Sequence, residues 1–265
     1  MPLHERPTLR LRAAVAFDEL TAWILRHHRL AALAFWVRDL AMRVEAVFMR
    51  GDGPECPCCG GRFRRFRRSK VTSLRGICPR CHSFSRQRAM TLLLERMDLQ
   101  GRRVLHFAPE RALDPVFDRL PGVDRVTTDL YAPADLQLDI TNIDLPDGSF
   151  DLVICSHVLE HVPDDRAALR ELARIVAPDG MALIVIPYHP GQRTFEDPAV
   201  TKRLAKAVAY GQPGHVRVYG IDFPERLQEA GFQTEDSTGA DLFDEETLER
   251  YQLRPLEHFF HCRVE

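Results

Sequence analysis

Short apolar runs alternate with helical patterns over the central and C-terminal parts of the chain. They lie at residues 104–107, 126–128, 138–140, 150–154 and 181–186. Each run has the length of a buried strand, and the stretches between them can hold a connecting helix. This alternation predicts an α/β domain with a mostly parallel sheet. Residues 231–233 are predicted to begin a sixth strand, and residues 256–264 to form a seventh, antiparallel strand.

In the N-terminal fifty residues, apolar positions recur at intervals of three and four residues instead. The apolar positions with this spacing are Leu30, Leu33, Val37, Leu40, Val44 and Val47. They share one face of a helix, so residues 1–50 are predicted to be a helical segment. We expect it to pack on the α/β domain or on a second subunit, which makes a homodimer through these helices a hypothesis. A helix lying on a membrane surface is the second interpretation.

Composition narrows the class of protein. A chain of 265 residues can hold one α/β domain and a smaller module. Its net charge of −2 gives no overall attraction to nucleic acid or membranes. The first thirty residues lack an apolar core followed by a small-residue cleavage site, and no N-terminal apolar run could cross a bilayer. We therefore expect no transmembrane segment and a cytoplasmic location.

Four of the seven cysteines have the spacing of metal ligands. Two C-x2-C pairs are separated by eighteen residues, and each short turn can present two sulfurs together. Four thiolates satisfy a tetrahedral Zn²⁺ ion, so residues 51–84 are predicted to be a structural zinc ribbon. Cys58 breaks the repeated spacing and is expected to lie outside the site; a reduced cluster without metal is the alternative. The predicted ligands are Cys56, Cys59, Cys78 and Cys81.

A basic stretch, residues 62–70, lies between the two cysteine pairs, and Phe63 and Phe66 are interleaved with its arginines. Phosphate neutralisation combined with base stacking would suit RNA. Three interpretations stay open. The stretch contacts nucleic acid, it binds a small ligand with a phosphate group, or it is a solvated face with one or both rings packed inward.

The α/β part also resembles a known family. The run 104–110, Asp129, Asp139 and the segment 157–161 (His-Val-Leu-Glu-His) occur in the order seen in class I S-adenosylmethionine (SAM)-dependent methyltransferases. With the four-cysteine ribbon and the helix that opens at Ser85, the chain resembles a bacterial group of zinc-ribbon proteins with a methyltransferase domain of type 11. The resemblance implies that residues 85–265 form this domain. It further implies a seven-stranded Rossmann-like sheet and SAM as cofactor.

The resemblance assigns a cofactor site to the carboxyl ends of the strands. Glu110 would bind the SAM ammonium group, Asp129 the ribose hydroxyls, and Asp139 with Ile140 the adenine. The usual glycines are missing from the turn after the first strand, where the sequence is Ala-Pro-Glu. The implied cofactor-binding residues are Phe107, Ala108, Pro109, Glu110, Asp129, Leu130, Asp139, Ile140, Ser156 and His157.

Methyl transfer from a sulfonium depends on positioning, and it needs a base only when the acceptor must lose a proton. We predict His161 and His189 as the catalytic candidates, because they follow the fourth and fifth strands. The long insertion at residues 189–217 is predicted to be an acceptor-binding lid. The leading acceptor is a small metabolite, sugar or natural-product intermediate. An RNA methyltransferase and a non-catalytic SAM-fold binding protein are the alternatives.

Overall fold

The computed structural model describes residue 40 and residues 44–68 and 75–264. Most of the predicted N-terminal helical segment, including its predicted role in dimerisation, therefore lies outside the described residues. The end of the basic stretch, residues 69–70, lies outside them as well. Among the residues described, no helix combines the length and the apolar character needed to cross a membrane.

Two small antiparallel sheets make up the ribbon. β1 pairs with β2, and β3 pairs with β4. Phe63 and Phe66 are buried with the cysteines in a small core of their own. Both rings of the basic stretch therefore pack inward, while Arg62, Arg64 and Arg65 stay exposed. The strands are β1 (Arg50–Cys56), β2 (Gly61–Phe63), β3 (Arg67–Arg68) and β4 (Arg75–Ile77).

A six-stranded sheet with helices on both faces forms the rest of the described chain. Its order is β11-β12-β8-β7-β5-β6, in which β5 to β8 run parallel and β12 is antiparallel to both neighbours. A 3-10 turn, Leu159–His161, follows β7. In chain order the elements are α1 (Ser85–Leu94), β5 (Arg103–Phe107), α2 (Asp114–Phe117), β6 (Asp124–Thr128), β7 (Phe150–Ser156), α3 (Asp165–Ile175), β8 (Val176–Val185), β9 (Tyr188–His189), α4 (Arg203–Tyr210), β10 (Tyr219–Gly220), α5 (Phe223–Glu229), β11 (Phe232–Thr238), α6 (Gly239–Leu242), α7 (Glu245–Arg250) and β12 (His258–Val264).

The predicted α/β sheet with an antiparallel last strand is confirmed, but the predicted number of seven strands is wrong. The segment before the missing third strand pairs with β6 at one isolated bridge, between Thr128 and Leu136, and the Asp135 carboxylate accepts from the Thr127 N–H and hydroxyl. Just after β6, the Asp129 carboxylate accepts hydrogen bonds from the backbone N–H groups of Tyr131 and Ala132, both at 2.7 Å. These donors close a local turn directly after β6. Residues 138–140, the predicted third strand, form no strand in the structure, which leaves six in the main sheet.

The two faces of the sheet bury separate layers of side chains. Leu105 and Val153 point to one face, where α3 and α5 cover them. Their neighbours Val104 and Leu152 point to the other, where α1 and α2 pack. This alternation is the two-residue period of a strand, and each fully buried side chain of this kind contributes roughly 1.5–3 kcal/mol. The parallel strands are therefore apolar on both faces, as their short unbroken runs indicated.

Arg88 in α1 joins the ribbon to the sheet. Its side chain is fully buried, and its guanidinium donates to the backbone oxygens of Ser83, Tyr251 and Gln252, each at 2.7 Å. It also lies 4.5 Å from the ring centroid of Phe66. One side chain thus connects the ribbon, α1 and the loop after α7. Buried donors and acceptors that lose a partner are costly, so this joint should be a major contributor to stability.

We expect the substitution Arg88→Met to lower the free energy of unfolding by about 3 kcal/mol, because the fully buried guanidinium is removed and three backbone carbonyl oxygens lose their donors. The matched control is Arg96→Met. That guanidinium is exposed and donates to one backbone oxygen, of Leu242, at 3.1 Å, so the change should stay within about 0.5 kcal/mol. Urea unfolding followed by circular dichroism measures both values. Equal effects would show that Arg88 is not the joint described.

Candidate functional site

The four cysteines predicted as metal ligands come together in the structure. All four sulfurs lie within 4.8 Å of one another. The Sγ atoms of Cys56 and Cys81 are 3.5 Å apart, and those of Cys59 and Cys78 are 3.7 Å apart. Four sulfurs this close suit a single tetrahedral ion.

Cys58 lies outside this group although it belongs to the same turn. Its Sγ atom is 3.2 Å from Thr91 Oγ1 in α1, and that hydroxyl donates to Gln87 O at 2.8 Å. Its role in the fold is therefore to pack the ribbon against α1.

The turn after β5 is built without glycine. Ala108 adopts the left-handed conformation with φ of 46°, and its N–H donates to Thr128 O at 2.8 Å. Non-glycine residues rarely adopt this conformation, and a methyl group is the smallest side chain that can be placed there. Alanine thus occupies a backbone position that favours glycine, so the missing glycines do not prevent a tight turn.

Unpartnered buried polar atoms gather at the carboxyl ends of three neighbouring strands. Glu110 Oε1 accepts from Gln87 Nε2 at 2.6 Å and pairs with Arg86 at 2.9 Å, whereas Glu110 Oε2 is buried without a hydrogen-bond partner. Thr128 Oγ1 and Ser156 Oγ, on the last residues of β6 and β7, are also buried without a partner. Buried polar atoms are nearly always hydrogen-bonded, so three such atoms at one sheet edge indicate a ligand position.

The other predicted cofactor residues at the ends of β5 and β6 differ in how exposed their side chains are. Asp129 is half-buried at the end of β6, and its Oδ1 atom holds the local turn described above. Leu130 is exposed, while the Phe107 side chain is buried in the core. Only the backbone of Phe107 therefore reaches the turn. Pro109 is half-buried beside Ala108.

The predicted adenine pair lies in the segment that failed to form a strand. Asp139 is exposed, and its Oδ1 atom accepts from the Thr141 N–H at 2.9 Å and hydroxyl at 2.7 Å. These two bonds lower the pKa of Asp139. Ile140 is buried in the main core. Both side chains therefore have structural roles in this segment.

The turn after β5, residues 107–110, is called the cofactor turn below. A polar cavity of about 350 Å³ adjoins it. Arg86, the partner of Glu110, forms part of its wall, so the two sites share a side chain. Gln212 and His215 reach the cavity from the insertion that was predicted to be a lid. From the segment after β7 the cavity is lined by His157, Glu160 and His161.

His157 and Glu160 form a contact in this wall. His157 is left-handed, with φ of 56°, and its Nδ1 atom is 3.0 Å from Glu160 Oε1. The Glu160 side chain is only 1% exposed. Burial acts to raise the pKa of Glu160, but the contact with His157, a backbone hydrogen bond and the nearby His161 together outweigh it and lower the pKa. The carboxylate is therefore charged at neutral pH.

The two other histidines of the wall are in ring contact. The rings of His161 and His215 meet edge to face with centroids 4.8 Å apart. Burial lowers the pKa of His215, which keeps this ring neutral. His189, the second predicted catalytic residue, is exposed in β9 and lies outside the residues that line the cavity. The structure thus brings only the first of the two candidates to the cavity.

Sequence reasoning did not assign roles to Glu160 or Arg217. The guanidinium of Arg217 donates to Leu159 O at 3.0 Å and to Pro163 O at 2.7 Å, and it pairs with Glu196 at 2.9 Å. It thus fixes the 3-10 turn that presents Glu160 to the cavity.

The sequence was compared with models of known protein families. Residues 112–184 match the family model described as a methyltransferase domain. These residues belong to a methyltransferase domain. The predictions of a class I methyltransferase fold and of a SAM-dependent methyltransferase are confirmed. A search of the curated proteins found no match.

Solved structures resemble this methyltransferase domain at low sequence identity. The YcgJ protein of Bacillus subtilis is 16% identical, with 68% of this chain and 99% of that chain covered and a TM-score of 0.48. A SAM-dependent methyltransferase of Mesorhizobium loti is 18% identical, with 66% and 96% covered and a TM-score of 0.44. A chain from the complex of the Haloferax volcanii Trm112 methyltransferase activator with a methyltransferase is 20% identical, with 66% and 88% covered and a TM-score of 0.46.

The left-handed turn gives a direct stability prediction. Ala108→Val should destabilise the fold by about 1–2 kcal/mol, because a β-branched side chain fits the left-handed region poorly. Ala108→Gly is the matched control and should change stability by less than about 0.5 kcal/mol, since relief of strain offsets the greater entropy of the unfolded glycine. Urea unfolding compares the three proteins. A valine variant as stable as the parent would show that the turn is not strained.

Proposed function

We propose that this protein transfers a methyl group from SAM to a small acceptor molecule, such as a metabolite, a sugar or a natural-product intermediate. The observation that carries the proposal is the cavity beside the cofactor turn. Its volume of about 350 Å³ is that of a small-molecule site. Because Arg86 belongs both to its wall and to the Glu110 ion pair, an acceptor in the cavity would lie next to the cofactor.

The residues at the strand ends fit SAM. Glu110 Oε2 is a buried acceptor without a partner, suited to the ammonium group of the cofactor. Asp129 uses Oδ1 for its own turn, which leaves Oδ2 to accept from the ribose hydroxyls. When bound, SAM supplies an electrophilic methyl group on a sulfonium. The task of the chain is then to hold the acceptor in line and to exclude water.

The RNA alternative has less support. Phe63 and Phe66 are 2% and 6% exposed, so these rings are not available to stack on bases. The exposed arginines around them supply positive charge alone, which would give salt-dependent binding to any polyanion.

A transfer assay separates the functional alternatives. The full-length protein is incubated with methyl-labelled SAM and, in parallel, with a metabolite extract or with total RNA. We expect label in the low-mass fraction. Label in the RNA would contradict the proposal, and SAM binding without transfer to either fraction would favour a non-catalytic protein.

We also propose that the cysteine cluster holds a structural Zn²⁺ ion. Four thiolates close the coordination sphere, so such an ion holds the ribbon together and has no position for a substrate. Ser83 Oγ lies 3.1 Å from Cys56 Sγ and 3.3 Å from Cys81 Sγ, where its hydroxyl can support the thiolates. The buried positive charge of Arg88, which donates to Ser83 O, offsets the negative charge of a four-thiolate zinc site.

The cysteines of the first turn provide a matched pair of variants for the zinc proposal. Cys56→Ser should lose the zinc and destabilise the ribbon, whereas Cys58→Ser should keep it, because the Cys58 sulfur contacts Thr91 and is not one of the four sulfurs that lie within 4.8 Å of one another. Zinc per chain, measured by mass spectrometry after dialysis against a weak chelator, gives the result. Retention of zinc by Cys56→Ser, or its loss from Cys58→Ser, would show that the ligands are assigned wrongly.

Asp129 tests the cofactor site. Hydrogen bonds to a charged acceptor contribute roughly 1.5–3 kcal/mol, so Asp129→Ala should weaken SAM binding by about ten- to a hundredfold. Asp129→Asn keeps an oxygen for the local turn and should bind with intermediate affinity. Asp124→Ala, at the opposite end of the same strand and exposed, is the control and should bind like the parent. Calorimetry measures the affinities; parent-like binding by Asp129→Ala would show that the site is placed wrongly.

A further inference from the structure

A second group of metal-type ligands lies in the cavity, apart from the four cysteines. Glu160, His161 and His215 each place one ligand atom within 4.8 Å of the others. His215 Nε2 is 4.0 Å from Glu160 Oε1. All three residues line the cavity next to the cofactor turn. A carboxylate with two imidazoles is a donor set that binds divalent transition metals.

Backbone carbonyls orient both histidines as ligands. His161 Nδ1 is 3.1 Å from Gly214 O, and His215 Nδ1 is 3.2 Å from Tyr210 O. When Nδ1 carries the proton and donates it to the carbonyl, Nε2 is left with a free lone pair. Metal-bound histidines are held in this way. A Cβ at position 214 would lie 3.1 Å from His161 Nδ1, so glycine is what permits this close approach.

Glu160 gives an independent indication of a cation. Both carboxylate oxygens are buried: Oε1 has only the contact with His157 Nδ1, and Oε2 has no hydrogen-bond partner in the described part of the chain. A buried charged group without hydrogen bonds is costly. The nearby His157 supplies one contact at 3.0 Å and leaves the second oxygen unsatisfied. A bound cation would satisfy both.

The ligands are also held rigidly. The Val216 N–H donates to Glu160 O at 2.9 Å, so the stretch that carries His215 is docked on the turn that carries Glu160 and His161. Arg217 holds the same turn through its carbonyl contacts. Sites that bind metal tightly need ligands fixed in this manner before the ion arrives.

We propose that Glu160, His161 and His215 bind one divalent transition-metal ion whose open positions face the acceptor. Three protein ligands leave such positions, as in catalytic metal sites. The acceptor part rests on the proposed function and implies a molecule with a hydroxyl group, whose proton passes to solvent more easily when the oxygen is on the metal. In the transfer, the acceptor oxygen forms a new bond to the methyl carbon as the C–S bond of SAM breaks. The electron pair of the C–S bond stays on sulfur.

Cobalt titration of the full-length protein with a zinc-loaded ribbon tests the site. We expect one equivalent of Co²⁺ to give d–d absorption without a thiolate-to-cobalt charge-transfer band. The band would mean that cobalt has entered the cysteine cluster. A parent protein that binds no cobalt outside that cluster overturns the proposal.

Variants locate the bound cobalt. His161→Ala, at an exposed ring, and the nearly isosteric Glu160→Gln should each weaken Co²⁺ binding by roughly tenfold or more. His189→Ala replaces an exposed histidine outside the cavity and should bind Co²⁺ like the parent. Thermal denaturation checks that each variant is folded. Parent-like affinity in His161→Ala overturns the assignment even if the Glu160 variant fails to fold.

A small oxygen chelator tests the open positions. Acetohydroxamate added to the cobalt-loaded protein should change the d–d spectrum, because it can occupy positions that the protein leaves free. An unchanged spectrum overturns the acceptor part of the proposal. SAM affinity is measured separately in the same preparation without cobalt, so a failure to bind SAM would count against the proposed function alone.

Discussion

The cavity is organised around a carboxylate that is almost fully removed from water. Burying a charge is expensive unless opposite charge or hydrogen bonds compensate it, and in the described part of the chain Glu160 has the His157 contact at Oε1 while Oε2 has no partner. The surrounding polar groups follow from this constraint. The 3-10 turn that carries Glu160 is held by Arg217, and the stretch that carries His215 is docked on its backbone oxygen. A charged, prearranged wall therefore faces the space beside the cofactor turn.

Helix α1 connects this wall to the ribbon. Three consecutive residues of this helix make the connection. Arg86 and Gln87 bind Glu110, while Arg88 binds the ribbon and the loop after α7. The ribbon is thus part of the scaffold that positions the cofactor turn. A small module whose chain is held together at four cysteines can be rigid although its own apolar core is very small.

Much of the architecture could be predicted because its signals are local. Apolar runs located the strands, and the C-x2-C spacing located the four cysteines that the structure brings together. The missing third strand shows the limit of these signals, because Asp139 forms only an isolated bridge to Asn142 where a strand was expected. The His161–His215 contact joins residues 54 positions apart and has no local periodic signal. Glu110 was singled out by resemblance and His161 by its place after the fourth strand, but their partners required the fold.

A crystal structure with S-adenosylhomocysteine tests the central claim most directly, because it locates both the cofactor and the position from which the methyl group leaves. The account predicts the amino group of the ligand at Glu110, the ribose at Asp129 and the sulfur facing the cavity that holds Glu160. A ligand bound elsewhere, or bound at the turn with its sulfur directed away from the cavity, would contradict the account.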